Sequence, residues 1–422
     1  MQLMALAHLL CHDKEIVIEE LQFRADDMAH GGSAVAKLDG KTYFIDGALP
    51  GELVSGRVEV DKPKWGRVQL TTVVEAAAER VQPPCGHFGT CGGCQWQHGD
   101  YAAQLEWKKA IVIGQMTHLG RHPDPPVHDT LAVGPPFQYR NRMDFRVQDG
   151  RPALHQRKSR NLVPLAECQI LHPNLAALLV DLGDLSGVKA FTMRTSTTTG
   201  RVLMIIEGDV PPQASSWGCA VAVSDDDELE VIHGDLVIEE TVAGIPFRIT
   251  GRAFFQNNTA GAEHLVRLVT EAAGVKEDDT LLDAYAGGGL FAATVGKGAG
   301  RVVAIERDKT AAADLQSNLN RAGVADYRIL RSSMEDAIEG IDEYWDVVIA
   351  DPPRKGLGVD GVDAVTAAEP RTLVYVSCDP ASLARDTAIL DELGYELEWV
   401  APVDMFPQTF HIECVAKFAR FD

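Results

Sequence analysis

No run of about 18 uncharged apolar residues occurs in this 422-residue chain, so no segment reads as a membrane-spanning helix. The opening MQLMALAHLLCHDKE has a short apolar stretch, but no basic residue precedes it and no small-residue cleavage site follows. It reads as an untargeted start, and a cytoplasmic protein is expected. Internal repeats are absent. Basic residues are scarce: 39 Lys and Arg stand against 61 Asp and Glu, a net charge of −22. As an average, that balance argues against a nucleic-acid partner. The remainder is ordinary. With 45% hydrophobic and 24% charged residues, wholesale disorder and fibrous architectures are excluded, and the length suits two to four domains.

The charge is unevenly spread. Residues 1–201 carry 22 basic and 22 acidic side chains, so the whole excess lies in 202–422, with 17 against 39. Val202 to Phe247 holds ten acids, including Asp225-Asp226-Asp227-Glu228, and no Lys or Arg. Phe137 to Arg160 instead carries Arg140, Arg142, Arg146, Arg151, Arg157, Lys158 and Arg160 against Asp144 and Asp149, a local +5 in 24 residues. That stretch suits a phosphate-binding face; a solvated strand-and-loop surface would look the same.

Three zones of pattern follow one another. From Glu15 to about Val74, period-two alternation broken by Gly, Pro and Asp predicts a small antiparallel β-barrel. Pro83-Pro84 mark a linker, a helical period runs from Tyr101 to His118, and strand-like runs fill 137–250. After Gly251, TLLDAY, RVVAIE, YRIL, WDVVIA, TLVYVS and YELEWVA alternate with helical stretches. This predicts a doubly wound α/β sheet. The expected domains are a barrel over 12–76, a β-rich central domain over 80–250 whose helical part 101–120 packs on the third domain, and that third, α/β domain over 251–422.

Eight cysteines are present, and in a reducing compartment metal binding or catalysis outranks disulfides. Cys85-x5-Cys91-Gly-Gly-Cys94 places three thiols on a tight loop, and Cys168 is a candidate fourth ligand. Four thiolates suit either zinc or an iron–sulfur cluster.

In LLDAYAGGGLF a strand ends at Asp283, glycines 287–289 turn, and a helix begins; Glu306 ends the next strand. Glycines at the switch point of an α/β sheet admit a ligand, and the acid suits a ribose diol. The turn fits a nicotinamide cofactor as well as S-adenosylmethionine. The Asp351-Pro352-Pro353 turn then holds a carboxylate over the crevice, with Arg354 following. Cys378 ends a strand where Pro380 opens a helix, a position that predicts a depressed thiol pKa and a competent nucleophile. Glu413 lies on a late strand beside Cys414, which reads as core. A thiol, a carboxylate and a methyl-donor crevice fit methylation of uracil C5, whose carbon becomes nucleophilic once a thiolate adds to C6.

With these residues, nearly the whole chain resembles the RNA 5-methyluridine methyltransferases, in particular the 23S rRNA uracil-5 methyltransferases of the RumA type. The resemblance implies a Rossmann-like S-adenosylmethionine-dependent methyltransferase domain behind an N-terminal TRAM-like (OB-type) RNA-binding barrel and a β-rich iron–sulfur domain. It assigns Cys85, Cys91, Cys94 and Cys168 to a [4Fe-4S] cluster, and Gln256, Tyr285, Glu306 and Asp351 to S-adenosylmethionine contacts. It makes Cys378 the nucleophile and Glu413 the general base. Leu290 and Ser333 depart from the family's frequent residues, and Asp379 replaces a common Asn. The expected substrate is structured RNA, rRNA foremost, gripped by the 137–160 stretch and by a barrel patch of Lys62, Lys64, Trp65 and Arg67; a monomer is expected. A tRNA T-loop substrate, or a non-catalytic iron–sulfur RNA-binding role, remains the alternative.

Overall fold

A computed structural model describes residues 20–225, 228–338 and 344–421. The opening apolar stretch with Cys11, residues 12–19 of the expected barrel, and Asp226 and Asp227 of the acidic run lie outside these. The chain forms two compact units, one built from 20–29 and 33–78, the other from 30–32 and 79–421.

The first unit is a closed five-stranded barrel. Its strands are β1 (Glu20–Met28), β2 (Ala34–Leu38), β3 (Lys41–Asp46), β4 (Leu53–Asp61) and β5 (Trp65–Glu75), in the order β1-β2-β3-β5-β4. The period-two pattern turns Phe23, Ala25, Ala34, Ala36, Ile45, Val54 and Val68 inward. Closure leaves no edge strand to pair with another chain. Gly56 lets β4 cross close to β5, since a Cβ there would sit 2.4 Å from Val68 Cγ1. Lys62, Lys64, Trp65 and Arg67 are exposed around the β4–β5 turn.

In the second unit, α1 (Tyr101–His118) starts where the Asp100 side chain accepts from the Ala102 amide at 2.9 Å. It packs on elements of the C-terminal part, described below. A two-residue strand β6 (Leu131–Ala132) follows. Next come β7 (Arg142–Gln148), β8 (Arg151–His155), β9 (Leu162–Pro164), α2 (Pro173–Asp181), β10 (Val188–Thr195), β11 (Val202–Gly208), β12 (Ala220–Asp225) and β13 (Glu228–His233). The strands form one sheet, ordered β13-β12-β11-β10-β7-β8-β9. Met143, Phe145, Phe191 and Met193 cover one face with Leu175, Leu178 and Leu179 of α2. The opposite face carries Arg142, Asp144 and Arg146.

The hairpin β14 (Val237–Val242) and β15 (Ile245–Thr250) leads into the last part. There α3 (Thr259–Ala273), β16 (Thr280–Asp283), α4 (Leu290–Thr294), β17 (Arg301–Ile305), α5 (Lys309–Ala322), β18 (Tyr327–Leu330), α6 (Met334–Ile338), β19 (Val347–Ala350), α7 (Gly358–Thr366), β20 (Thr372–Ser377), α8 (Pro380–Glu392), β21 (Tyr395–Asp404) and β22 (Glu413–Arg420) follow. The sheet order is β18-β17-β16-β19-β20-β22-β21-β6. The strands from β18 to β20 are parallel, and β22 runs antiparallel to β20 and β21. Helices on both faces explain why Val347, Val348, Ile349 and Leu373 through Val376 form continuous apolar runs.

Elements before residue 251 also join this part. Strand β6 adds the last rung to the sheet beside β21, and Phe247 and Ile249 of β15 share a core with α3 and α5. A period-two pattern tells that a hairpin buries a face but not which core receives it. Helix α1 packs on α8 and β21.

Candidate active site at the carboxyl edge of the sheet

The parallel strands all point their carboxyl ends at one edge, and the chemistry-bearing residues follow from that. Asp283 ends β16, while Glu306, Asp351 and Cys378 each stand just beyond β17, β19 and β20. Glu413 opens the antiparallel β22 and so arrives at the same edge. The antiparallel β22, lying between β20 and β21, departs from the all-parallel order of a dinucleotide-binding fold, which disfavours the nicotinamide reading of the Gly-rich turn.

That turn is fastened from two sides. The Gly287 amide donates to Glu306 Oε2 at 2.9 Å, and the Ala292 amide donates to Asp283 Oδ2 at 2.9 Å. Glu306 Oε1 accepts from the Asp308 amide at 2.6 Å. Gly289 has φ +88°, and a Cβ on it would lie 2.6 Å from Leu315 Cδ1. The Phe254 carbonyl would lie 3.9 Å from a Cβ on Gly288, and Gln256, two residues on in that segment, is buried. Asn141 fixes that segment, donating its amide to the Asn257 carbonyl at 2.9 Å and its side chain to the Gln256 carbonyl at 3.1 Å. Tyr285 follows β16 and is half-buried. Of the three departures from the family pattern, Leu290 is buried in the core, Ser333 pairs with Asp336 at the start of α6, and Asp379 caps α8.

Cys378 and Glu413 meet through strand register. Ser377 pairs with Cys414 in the last rung of the β20–β22 ladder, so Cys378 leaves β20 where Glu413 enters β22. Cys414 is fully buried and inert, as an apolar strand position implies. Cys378 is half-buried and Glu413 is 4% exposed. Burial pushes the Cys378 thiol up to about 12, with the Glu413, Asp351 and Asp379 charges adding to it and Arg354 opposing. This reverses the depressed pKa expected from its place before α8. Burial and three neighbouring carboxylates outweigh a helix start whose first-turn amide, that of Ser382, is already satisfied by the Asp379 side chain at 2.8 Å. Burial and the Asp351 charge hold Glu413 well above the usual carboxylate range, again opposed by Arg354. Burial raises Asp351 to about 7; burial, with charge from Asp351 and Glu306, raises Asp283 to about 7.

Sequence reasoning assigned no role to three residues here. Arg354 supplies positive charge to both Cys378 and Glu413, and its guanidinium donates to His411 Nδ1 at 3.1 Å. Burial and Arg354 push His411 down to about 4, so its ring is neutral and can accept. Asp386 ties down the chain beyond the Asp-Pro-Pro turn, accepting from the Leu357 amide at 2.8 Å and from Tyr375 Oη at 2.7 Å. The signal available for Arg354 was its place directly after that turn. Asp386, on a helix and 29 residues beyond the Leu357 it holds, offered none.

Cys85, Cys91, Cys94 and Cys168 line one pocket with Gln97 and Leu165. All four are free thiols. Among the described residues, no three His, Cys, Asp or Glu side chains are grouped as one metal ion would require. The loop around them also holds other parts of the structure. The Gly92 amide donates to the His155 carbonyl at 2.9 Å, and the Gln95 and Trp96 amides donate to the Gln408 carbonyl at 3.0 Å. Beside it lies an open cleft of about 710 Å³, lined by Arg157, Lys158 and Arg160 with Phe410 and His411.

Residues 228–420 match the tRNA (uracil-5-)-methyltransferase family model. An uncharacterized RNA methyltransferase of Gloeobacter violaceus is 33% identical, over 93% of this chain and 95% of its own length. The chain belongs to the RNA (uracil-5-)-methyltransferase family. Similar RNA methyltransferases occur in Halalkalibacterium halodurans and Streptomyces avermitilis, each 30% identical over 93% and 94% of this chain and 95% and 98% of theirs. The crystal structure of Pyrococcus abyssi tRNA (uracil-54, C5)-methyltransferase in complex with S-adenosyl-L-homocysteine shares the fold. Its TM-score is 0.74 at 24% identity, covering 94% of this chain and 99% of that one. As a family member, the enzyme is an S-adenosylmethionine-dependent RNA uracil-5 methyltransferase. None of the methyltransferase's described helices is long and apolar enough to cross a membrane.

Proposed function

We propose that this methyltransferase modifies C5 of a uridine in 23S rRNA, acting as a cytoplasmic monomer and using Cys378 as a covalent nucleophile. The observation that carries the mechanism is the meeting of Cys378 and Glu413 at the end of the β20–β22 ladder, with Asp351 and Arg354 in electrostatic reach of both. The Cys378 thiol gives its proton to a neighbouring carboxylate as its sulfur bonds to C6 of the uracil, and the C5–C6 electron pair becomes available at C5. Bound S-adenosylmethionine supplies the methyl group. Glu413 then takes the C5 proton, the C5–C6 double bond re-forms, and the C6–S bond breaks to free Cys378. A uridine in folded RNA must leave its stack to reach the thiol.

Gln256, Tyr285, Glu306 and Asp351 would hold S-adenosylmethionine, Glu306 at the ribose and Gln256 at the opening beside the Gly-rich turn. The four cysteines of one pocket are the donor set of a [4Fe-4S] cluster, and the apolar Met143, Leu154, Leu165 and Ile170 that line the pocket with them suit a cluster shielded from solvent. Such a cluster would stiffen the loop that carries the contacts to His155 and Gln408. An anaerobic preparation should be brown and contain iron and sulfide in equal amounts; a colourless protein with zinc rejects this assignment. The barrel patch and the basic cleft would take RNA phosphates.

The resemblance of the barrel and the cysteine set favours rRNA. The fold shared with a tRNA (uracil-54, C5)-methyltransferase supports a tRNA T-loop as the second reading. Mapping 5-methyluridine in total RNA from a deletion strain, with and without the wild-type gene restored, separates them. Loss confined to a tRNA position overturns the rRNA reading. Restoration of the mark by a Cys378→Ala gene at the wild-type level overturns covalent catalysis.

A further inference from the structure

Arg142 on β7 and Arg194 on β10 face each other directly in the antiparallel ladder, so both side chains leave the same face of the sheet. Like charges in this position repel. Arg194 is also 4% exposed, and its two terminal nitrogens, together with Arg142 Nε, have no hydrogen-bond partner among the described residues. Burial and the Arg142 charge bring Arg194 down to about 9, so it is still a cation at neutral pH.

The carboxylates in electrostatic reach are engaged elsewhere. Asp144 accepts from Thr192 at 2.6 Å and from Arg142 Nη2 at 3.2 Å. Asp314 accepts from the Thr250 amide at 2.7 Å and from Arg248 at 3.2 Å. Glu240 accepts from the Thr197 amide at 2.8 Å and from the Thr198 hydroxyl at 2.6 Å. A buried guanidinium without a hydrogen-bonded anion is costly, and the fold supplies it none.

The position of this pair matters. Asn141, next to Arg142, bonds the Gln256 and Asn257 carbonyls, and the Thr195 amide, next to Arg194, donates to the Asn141 carbonyl at 2.9 Å. Arg142 therefore stands one residue from Asn141, which bonds the loop that carries Gln256, and Arg194 one residue from Thr195, which bonds Asn141. On the same sheet face, away from that loop, Arg146 and Arg151 are exposed, Arg151 pairing with Gln148 across the β7–β8 turn. Glu207 approaches Arg146 at 3.9 Å, a long and exposed contact that a phosphate could replace at little cost.

We propose that Arg142 and Arg194 form a phosphate site that seats the RNA backbone beside the target uridine, and that Arg146 and Arg151 continue the backbone track across the sheet. The proposal rests on the RNA-methylating reading of the adjacent crevice. A row of four arginines on one face suits a polyanion; a single carboxylate, such as that of S-adenosylmethionine, would use the pair and leave the row idle. Arg142, with its side chain 21% exposed, is the route by which the anion reaches the pair. The bound phosphate would take over the Arg142 contact to Asp144.

The test uses the full-length enzyme and a labelled, uridine-containing RNA hairpin, with binding measured at several salt concentrations and without turnover. Arg142→Gln and Arg194→Gln should each weaken RNA binding about tenfold and reduce the salt slope by about one. Affinity for S-adenosylmethionine by calorimetry should not change. Arg194→Lys should keep most of the slope, which distinguishes charge from packing. An unchanged slope in the folded glutamine variants overturns the proposal and leaves a structural pair. Loss of S-adenosylmethionine affinity with an unchanged slope also overturns it, assigning the pair to the cofactor carboxylate. Because no chemistry is read, failure of the covalent mechanism would leave these outcomes intact.

Discussion

Lys108 of α1 and Asp404 at the end of β21 form an ion pair in which neither side chain has any exposure, with Nζ 2.6 Å from Oδ1. Lys108 also donates to the Phe406 carbonyl at 3.3 Å and the His411 carbonyl at 2.7 Å. One ammonium thereby holds both ends of the loop that delivers Glu413 to Cys378. The Trp96 ring lies 5.8 Å from the same nitrogen.

Lys108→Met should destabilise the enzyme by roughly 3–5 kcal/mol, because it leaves the Asp404 carboxylate buried and unpaired. Asp404→Leu in the same chain should recover a large part of that loss. Denaturant unfolding of the two single variants and the double variant measures the coupling.

Glu413→Gln should separate the two halves of the reaction. The thiol still adds to C6, but the C5 proton is no longer removed, so turnover falls by roughly 10²- to 10⁴-fold. A covalent protein–RNA species should accumulate and survive denaturing electrophoresis. Adding Cys378→Ala should abolish it, and an adduct that persists in the double variant would contradict the assignment of the nucleophile.

The pH profile should rise toward alkaline pH. Burial lifts both Glu413 and Cys378, and Glu413 accepts a proton only when ionised, so kcat/KM should increase through neutrality instead of reaching its plateau in the acid range. Arg354→Gln removes the charge that opposes both shifts. Its rising limb should therefore move to higher pH, and a limb displaced to lower pH would contradict this account.

Asp283→Asn tests a cost built into the cofactor crevice. With its folded pKa about 7, above an unfolded value of roughly 3.9, Asp283 binds more proton in the folded state between those pH values. Its contribution to stability is present below the lower pKa and is lost as pH rises through the upper one. The variant should melt at a higher temperature than wild type at pH 8 and gain nothing at pH 4. Calorimetric melting at both pH values gives the comparison.

Gly289→Ala places a side chain at φ +88° and against Leu315 Cδ1. The strain should cost about 1–3 kcal/mol and weaken S-adenosylmethionine binding by distorting the turn. Isothermal calorimetry measures it, and an unchanged affinity would show that the turn is not part of the cofactor site.

Much of the architecture was legible because apolar period and turn residues are local signals. Helix α1 occupies the predicted Tyr101–His118, and the alternating apolar positions from Phe23 to Val68 form the barrel interior. Strand β6 was not legible, since two residues show no period, and neither was the core that β15 joins. At the site, Cys378 and Glu413 could be named from their motifs. The direction of the thiol's shift could not, because its largest cause is burial and, of the carboxylates that add to it, Glu413 and Asp351 are distant in sequence. Arg194 carried no signal at all: a single arginine in an acid-poor strand looks like surface.

The amino-acid sequence by itself determined which side chains exist for the chemistry and, through the scarcity of basic residues beyond residue 201, on which half of the chain cations could gather. Those properties need no partner. Tertiary structure decided what each group could do. Register ended the β20–β22 ladder where Cys378 and Glu413 meet and set Arg142 opposite Arg194, and burial then changed their proton affinities and left one guanidinium without an anion. The reason is physical: an ionisable group's behaviour depends on the dielectric and charge within a few ångströms of it, and folding sets those surroundings.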